Sequence, residues 1–261
     1  MKALSIAATG MDAQQTRVAV ISNNLANMNT TAYAARRAEF ADLHYQTVRP
    51  SGASAGADGS IVPEGVNLGL GVRTMAVSMQ MTPGTLLNTA NELDVAIEGA
   101  GFFQVDLPTG ETVFTRAGNF KRTAEGELVN SDGFRLTDGI AIPQEARSVT
   151  INAEGEVFAT FANQPQAQQL GLLTLVTFTN EKGLEPIGGT LYRQTEASGQ
   201  PVAGQAGQNG VGTLRQGYLE ESNVDVVAQI AELIEAQRGY ELNSKVISAA
   251  DQMYASATQI R

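Results

Sequence analysis

Apolar side chains recur every seven residues near the N-terminus of the 261-residue chain, in the alternating steps of three and four that mark one face of a helix. A seam of this kind is typical of a coiled coil. We therefore predict a helix over residues 1–31 whose seam faces another helix, with Gln14 as the one polar break. The seam positions are Leu4, Ala7, Met11, Gln14, Val18, Ile21, Leu25 and Met28.

The C-terminal region repeats this spacing over residues 222–261. Ser222, followed three residues later by Asp225, precedes the apolar run and predicts a capping box. Gly239 lies inside the pattern and costs about 1 kcal/mol relative to alanine, which weakens the expectation of one unbroken helix. The apolar positions of this second helix are Val226, Ile230, Leu233, Tyr240, Ile247 and Tyr254. A second stripe widens its apolar face towards the end, at Val246, Ala250, Met253, Ala257 and Ile260.

The first helix carries very little charge outside its seam. Residues 1–31 contain only Lys2, Asp12 and Arg17 as charged side chains, whereas a solvated two-stranded coiled coil has Glu and Lys beside its seam. We interpret the helix as contacted on several sides by other helices; the alternative is a helix buried in a globular core. The simplest partner for each terminal helix is the other one. A pair with so much uncharged surface predicts self-assembly, or disorder until assembly.

Between the helices the pattern changes to strands and turns. Residues 32–92 are predicted as an extended connector with some β structure; residues 50–60 within it are rich in Gly, Ser and Ala, which fits either a disordered linker or a segment ordered by its neighbours. Short strands with frequent Gly turns predict an all-β domain over residues 93–198, with its strongest single strand at 170–178, and a return connector over 199–221. The expected class is α+β: a discontinuous coiled-coil module of residues 1–31 and 222–261 with an inserted all-β domain.

Composition removes several functions. A formal net charge of −10 and a sequence pI near 4.6 oppose binding to nucleic acid. The chain has no cysteine and one histidine, His44, which excludes thiolate chemistry and multi-histidine metal sites. No stretch approaches the roughly 18 apolar residues of a membrane span, and the apolar N-terminal run is too short for a secretory signal. The chain is expected in the cytosol, or exported by a route without a cleaved signal.

Catalytic motifs are weak. The carboxylate pairs Asp94/Glu98 and Glu125/Glu127 are too common in an acidic chain to indicate a hydrolase. His44 lacks a nucleophile motif around a serine, and the glycines at 99 and 101 lack the third glycine of a dinucleotide loop. We expect no catalytic residue, no cofactor and no metal.

Asparagines cluster at the end of the first helix. Asparagine is a poor residue for a helix interior, but its amide donates and accepts at helix ends and interfaces. The cluster indicates either a frayed helix end or polar registration between subunits. Its members are Asn23, Asn24, Asn27 and Asn29.

At both ends these residues carry a resemblance. Residues 7–15 (AATGMDAQQ) and 20–30 (VISNNLANMNT) are similar to the N-terminal signature of the bacterial flagellar rod and hook family, and residues 216–225 (QGYLEESNVD) and 237–245 (QRGYELNSK) are similar to its C-terminal signature. Within the family, residues 45–50 (YQTVRP), 69–73 (GLGVR) and 93–105 (LDVAIEGAGFFQV) resemble the distal rod members. One departure is Ala32-Tyr33-Ala34, where the family usually has Gly before the aromatic residue and often Lys after it.

The resemblance implies a structural role without enzymatic activity. Members are exported through the flagellar type III apparatus and stack helically into a hollow shaft that crosses the periplasm and transmits torque to the hook. The implied partners are further copies of this chain, proximal rod proteins, the hook protein, the surrounding P-ring and L-ring proteins and the export apparatus, with no nucleic acid and no membrane insertion. A hook-type or proximal-rod subunit is the nearest alternative, and a cell-wall hydrolase a distant one.

From the helical pattern and the resemblance we expect two sets of residues to contact other subunits. The assembly interface is expected at the helical residues Leu4, Met11, Val18, Ile21, Asn23, Asn24, Leu25, Asn27, Val226, Ile230, Leu233, Tyr240, Ile247 and Tyr254. A rod-specific contact segment is expected within 45–73, at Tyr45, Gln46, Arg49, Gly69, Gly71 and Arg73.

Overall fold

The computed structural model describes residues 2–52, 64–161 and 164–259. Of the ranges predicted above, residues 53–63 of the rod-specific stretch, residues 162–163 of the β-domain and residues 1, 260 and 261 of the helical ends lie outside this description. The chain divides into two compact units: a first unit of Met1–Ala26, Arg36–Ser78 and Asp225–Arg261, and a second unit of Asn27–Ala35 and Met79–Val224. Helices and many short strands make the protein α+β overall, as predicted.

Two long helices belong to the first unit. Helix α1 spans Lys2–Ala26 and helix α2 spans Val226–Gln259, and the two pack against each other along much of their length. Helix α2 continues through Gly239 without interruption. Neither helix is long and apolar enough, within the residues described, to cross a membrane.

The cap of α2 differs from the predicted capping box. The Asp225 carboxylate accepts hydrogen bonds from the backbone N–H groups of Val227 and Ala228 at 2.9 and 3.1 Å. Asp225 is therefore the N-cap itself, and it satisfies two of the amides that a helix start leaves unpaired. The Ser222 hydroxyl oxygen is buried without a hydrogen-bond partner among the described residues. The prediction of Ser222 as the cap was wrong because the helix begins one turn later than the motif implied.

Four strands complete the first unit. Strand β1 (Arg36–Asp42) pairs with β4 (Val72–Met79), and β2 (Tyr45–Arg49) pairs antiparallel with β3 (Val66–Gly69). Helix α1 packs on β1. The predicted connector 32–92 thus contains paired strands that share a unit with the helices.

The second unit is built from short strands in several sheets. The largest sheet has seven strands in the order β16-β17-β8-β7-β11-β10-β9, and β12-β13-β14 form a three-stranded sheet. The strands are β5 (Leu86–Asn88), β6 (Val95–Glu98), β7 (Phe103–Asp106), β8 (Thr112–Thr115), β9 (Lys121–Arg122), β10 (Leu128–Val129), β11 (Arg135–Leu136), β12 (Ala146–Ile151), β13 (Glu156–Phe161), β14 (Gln164–Leu172), β15 (Thr174–Thr177), β16 (Glu185–Gly188), β17 (Leu191–Arg193), β18 (Val202–Gln205), β19 (Thr213–Gln216) and β20 (Tyr218–Glu220).

Two segments of the second unit differ from the sequence pattern. The single strand predicted over 170–178 is two strands, because the chain leaves one sheet at the fully buried Leu173, whose N–H donates to the Gly155 carbonyl. Residues 199–221, predicted as a connector, contain β18, β19 and β20, which pair with β15, β6 and β5. These pairings join residues far apart in sequence, and short strands alone do not reveal them.

A buried ion pair anchors the end of this unit. The guanidinium of Arg116 lies 2.9 Å from the Glu220 carboxylate, and both side chains are almost fully buried. Arg116 also donates to the carbonyls of Gly99 and Gly101, while Glu220 accepts from the backbone of Gly84. Because both side chains are buried, replacing either one would leave the charge of the other buried without a partner.

Candidate assembly surface

The seam between α1 and α2 contains most of the predicted apolar positions. Along α1, Leu4, Met11, Val18 and Leu25 are half-buried and Ile21 is 3% exposed. Along α2, Val226, Leu233 and Ile247 are half-buried. Exposure is greater at the other predicted α2 positions: 45% for Ile230, 38% for Tyr240 and 49% for Tyr254.

The structure adds a second set of seam residues, of which the apolar pattern had indicated only Ala250. Ala236 and Ala250 of α2 are buried, and Gln229 and Asn243 are half-buried. These four residues are seven apart, so they form the other seam position of the same heptad. Alanine and amide side chains also occur on exposed helix surfaces, so residue type alone did not identify these four positions as a repeat. Their spacing of seven was the available signal.

Glycines bring the two helices close together. A Cβ built on Gly10 would lie 2.9 Å from the Asn243 side-chain nitrogen, and one built on Gly239 would lie 3.1 Å from Gln14. Real Cβ atoms seldom approach that closely, so the glycines allow a tighter approach than larger residues would. The glycine that weakened the expectation of an unbroken helix therefore has a packing reason.

Asn24 is bonded within its own chain. Its side-chain nitrogen donates to the Arg36 carbonyl at 2.7 Å and to the Gln229 side chain at 2.9 Å, and its oxygen accepts from the Arg36 N–H at 2.8 Å. Asn24 is 1% exposed. The amide thus joins the end of α1 to β1 and to the start of α2. Asn23 is exposed, and Asn27 accepts a hydrogen bond from Thr30.

Beyond the seam, α2 exposes a second set of large apolar side chains. On an ideal helix four of them lie on the half opposite the buried alanines, together with the charged Arg238, Glu241 and Lys245, whereas Val246 and Met253 lie on the flank. Exposed apolar side chains that share a helix face indicate a binding surface. The four exposed apolar residues on the far half are Val227, Ile230, Ile234 and Leu242, which we call the outer stripe of α2.

A groove lies between the two helices on one side of the pair. It encloses about 430 Å³ and is lined by Gln15, Val18 and Ala19 of α1 and by Gln237, Tyr240 and Glu241 of α2. Its α1 wall belongs to a row of small or short side chains that includes Ser5, Ala8 and Ser22. The exposed side of α1 is therefore shaped to admit another element closely.

The hairpin of β2 and β3 is exposed on both faces. Every side chain of β2 is exposed, including Tyr45 at 61% and Val48 at 59%, and in β3 Val66 and Leu68 are 42% and 46% exposed. A two-stranded hairpin without a buried face is marginally stable in water. The hydrogen bond and negative charge of Asp42 raise the pKa of Tyr45 above its ordinary value, and Lys2 donates to Gln46 at 2.6 Å.

The predicted glycines of this segment lie at tight places. Gly71 has a φ of 118°, and a Cβ on it would lie 2.2 Å from the Thr9 hydroxyl of α1. That hydroxyl accepts a hydrogen bond from the Val72 N–H at 3.3 Å. Gly69 lies beside the Tyr45 ring, while Arg49 and Arg73 are exposed.

The residues weighed for catalysis have ordinary structural roles. His44 is exposed. Asp94 accepts hydrogen bonds from Thr89 and Asn91, and Glu127 pairs with Arg135 at 2.8 Å. Within the described residues, no cluster of three or more metal-ligating side chains occurs.

Three separate parts of the chain match models of known protein families: one near each end and one in the middle. Residues 4–33 match the family "Flagella basal body rod protein", residues 96–159 match "Flagellar hook protein FlgE/F/G D1 domain", and residues 215–260 match "Flagellar basal body rod FlgEFG protein C-terminal". The matches cover both helices and the centre of the second unit.

Full-length relatives are similar to the whole chain. A "Flagellar basal-body rod protein FlgG" of Agrobacterium fabrum is 52% identical over 97% of this chain and 97% of its own, and one of Caulobacter vibrioides is 49% identical over 100% of both. Bacillus subtilis has one that is 35% identical over 100% of this chain and 99% of its own. A crystal structure of Helicobacter pylori flagellar hook protein FlgE2 covers 71% of this chain and 43% of that one at 14% identity, with a TM-score of 0.24 that carries no argument about the fold.

A non-enzymatic structural protein of the bacterial flagellum is the class defined by these matches. The chain belongs to the flagellar basal-body rod protein family, and it is a structural subunit of the basal-body rod.

Proposed function

We propose that this subunit polymerises helically into the distal part of the rod, as a hollow shaft that crosses the periplasm and carries torque to the hook. The outer stripe of α2 is the observation that carries the proposal, since an isolated subunit leaves that surface in water. Heterologous contacts that do not close into a ring generate a helical filament.

The α1–α2 pair acts in this proposal as a coiled-coil assembly module, with the second unit inserted between its helices. Seam residues hold the pair together and Asn24 fixes the end of α1, while the outer stripe and the small side chains of α1 meet neighbouring copies. Large apolar contacts between copies resist shear, as a torque-bearing shaft requires.

The rod-specific segment supplies a second contact between copies. Tyr45, Gln46 and Arg49 on the β2–β3 hairpin, with Gly69, Gly71 and Arg73 beside it, form a surface whose apolar side chains are exposed on both strand faces. A neighbouring copy would cover them and stiffen the shaft. Proximal rod proteins, the hook protein, the P-ring and L-ring proteins and the type III export apparatus complete the proposed partners.

Substitution of Leu242 tests the proposal. Leu242 is 62% exposed on the outer stripe, so Leu242→Asp leaves the subunit folded but places a charge in the proposed contact. We expect loss of polymer in a sedimentation assay of the full chain. Ser244→Asp adds the same charge at an exposed residue of the same turn, off the stripe, and should polymerise normally. Equal polymer from both folded variants would contradict the proposed role of the stripe.

A further inference from the structure

The second unit is strongly acidic, with a local exception. Between Met79 and Val224 the chain has 17 carboxylate side chains and 8 basic ones. Four of the basic side chains are arginines already paired with carboxylates: Arg116, Arg135, Arg193 and Arg215. Lys121, Arg122, Arg147 and Lys182 have no ion pair among the described residues.

Two of these unpaired cations share one cavity. Arg122, from the edge strand β9, and Arg147, from β12, both line a cavity of about 440 Å³, a size typical of pockets that enclose a ligand. Its apolar wall includes Ile142 and Val149, which are 1% and 8% exposed. Arg122 and Arg147 are themselves exposed, so an incoming anion can reach both guanidinium groups.

The cavity's own carboxylate does not neutralise both arginines. Glu92 lines the cavity and accepts a hydrogen bond from the Val149 N–H at 3.0 Å, so its carboxylate is held by the backbone. It forms no ion pair with either arginine among the described contacts. Two guanidinium groups against one carboxylate leave the cavity with an excess positive charge, and guanidinium groups bind carboxylates in a bidentate manner.

We propose that this arginine cavity of one subunit binds an acidic turn of a second copy of the chain. This inference rests on the proposed polymerisation, which brings identical acidic units side by side. Three turns of the second unit present an exposed carboxylate immediately before a glycine of positive φ: Glu125 before Gly126, Asp132 before Gly133, and Glu154 before Gly155. Such projecting carboxylates complement the cavity in charge, and the contact offsets repulsion between units of like charge.

Charge reversal at Arg147 tests whether the arginine cavity contributes to the affinity between copies. Arg147→Glu should weaken self-association of the full chain about tenfold at low salt and less at high salt, because it replaces an interfacial attraction by a repulsion and salt screens both. Lys182→Glu is the matched control, since Lys182 is exposed, unpaired and in the same unit. Sedimentation at several protein and NaCl concentrations measures both. Equal weakening by the two variants would overturn the proposal and leave only a general effect of net charge.

Zero-length crosslinking tests the occupant. Arg147→Lys and Arg122→Lys each place an amine in the cavity, which a carbodiimide couples to a carboxylate in contact with it. In a mixture of ¹⁴N- and ¹⁵N-labelled chains, mass spectrometry separates crosslinks between copies from those within one. We expect crosslinks between copies from the introduced amine to one of the acidic turns. Self-association without such crosslinks would overturn this inference alone, whereas absence of self-association in the unaltered chain would overturn the proposed function.

Discussion

Ala32 is a single residue with an unfavourable backbone conformation. Its φ is 55°, in the left-handed region, and its N–H donates to the Glu220 carbonyl at 2.8 Å. The resemblance to the flagellar rod and hook family implies glycine at this position, and a left-handed φ is a physical reason for that expectation. The N-cap at Asp225 and the amide bonds of Asn24 were less predictable, since both depend on where the helices end.

Replacing Ala32 by glycine should stabilise the second unit. A left-handed alanine costs about 1–2 kcal/mol, part of which is offset by the greater freedom of glycine in the unfolded chain. We expect a net gain of about 0.5–1 kcal/mol in the free energy of unfolding, measured by denaturant titration followed by circular dichroism. Ala34→Gly, at the other departure, is the control and should be neutral or destabilising, because Ala34 is not among the residues with positive φ.

Asp138 should make stability depend on pH. Burial raises the pKa of Asp138 above 3.8, although hydrogen bonds from Thr174 act in the opposite direction. The folded state therefore binds a proton more readily than the unfolded state, and this group's contribution becomes more favourable as pH falls through the raised pKa towards 3.8. Asp138→Asn removes that term, so its free energy of unfolding relative to the unaltered protein should decrease steadily from pH 7 to pH 4. A constant difference would refute the assignment.

At the scale of elements, the helices were predictable and the strand pairings were not. Heptads of large apolar residues marked α1 and α2, but Ala236 and Asn243 could not be distinguished from surface residues before their partner was known. Strands β6 and β19 pair although more than a hundred residues separate them, and each is only four residues long. Such short strands have too few alternating positions to identify a partner.

The α1–α2 seam should be sensitive at Ala236, which is 0% exposed. Ala236→Lys forces an ammonium group into a close-packed contact, and a cost of several kcal/mol is expected. Faster amide exchange in both helices is the expected result in hydrogen–deuterium exchange mass spectrometry, with strands β6 to β8 unchanged. Ala231→Lys, at an exposed residue of the same helix, should leave exchange as it is. Unaltered protection in both variants would contradict the close packing of Ala236 between the helices.

At the scale of the whole molecule, the sequence predicted an α+β rod subunit, and that level is confirmed. Its division into a terminal module, connectors and an inserted domain stays a prediction. The grouping of Arg36–Ser78 with the helices could not be read from composition, because Gly- and Ser-rich stretches fit linkers and docked segments equally well. The contacts of β1 and of Gly71 with α1 show that this region belongs with the helices.

Removal of residues 50–65 should test the β2–β3 contact between copies independently of the contact made by the α1–α2 pair. This segment connects β2 to β3, so its loss joins Arg49 directly to Val66 and disrupts the pairing of the two strands, while the α1–α2 pair and the second unit stay intact. We expect a folded subunit that assembles into shorter or more easily bent rods, measured by electron microscopy of isolated rods. Rods of unchanged length and bending stiffness would exclude a stiffening role for the hairpin.

The pairing of α1 with α2 also has a consequence for the order in which the protein is made. All twenty strands lie between α1 and α2 in the chain, so the pair cannot close until the strands and then α2 have been synthesised. The strands from β5 to β20 precede α2 and can fold earlier, since domains tend to fold as their residues become available. A chain cut short before residue 226 would retain those strands and lack the helical pair.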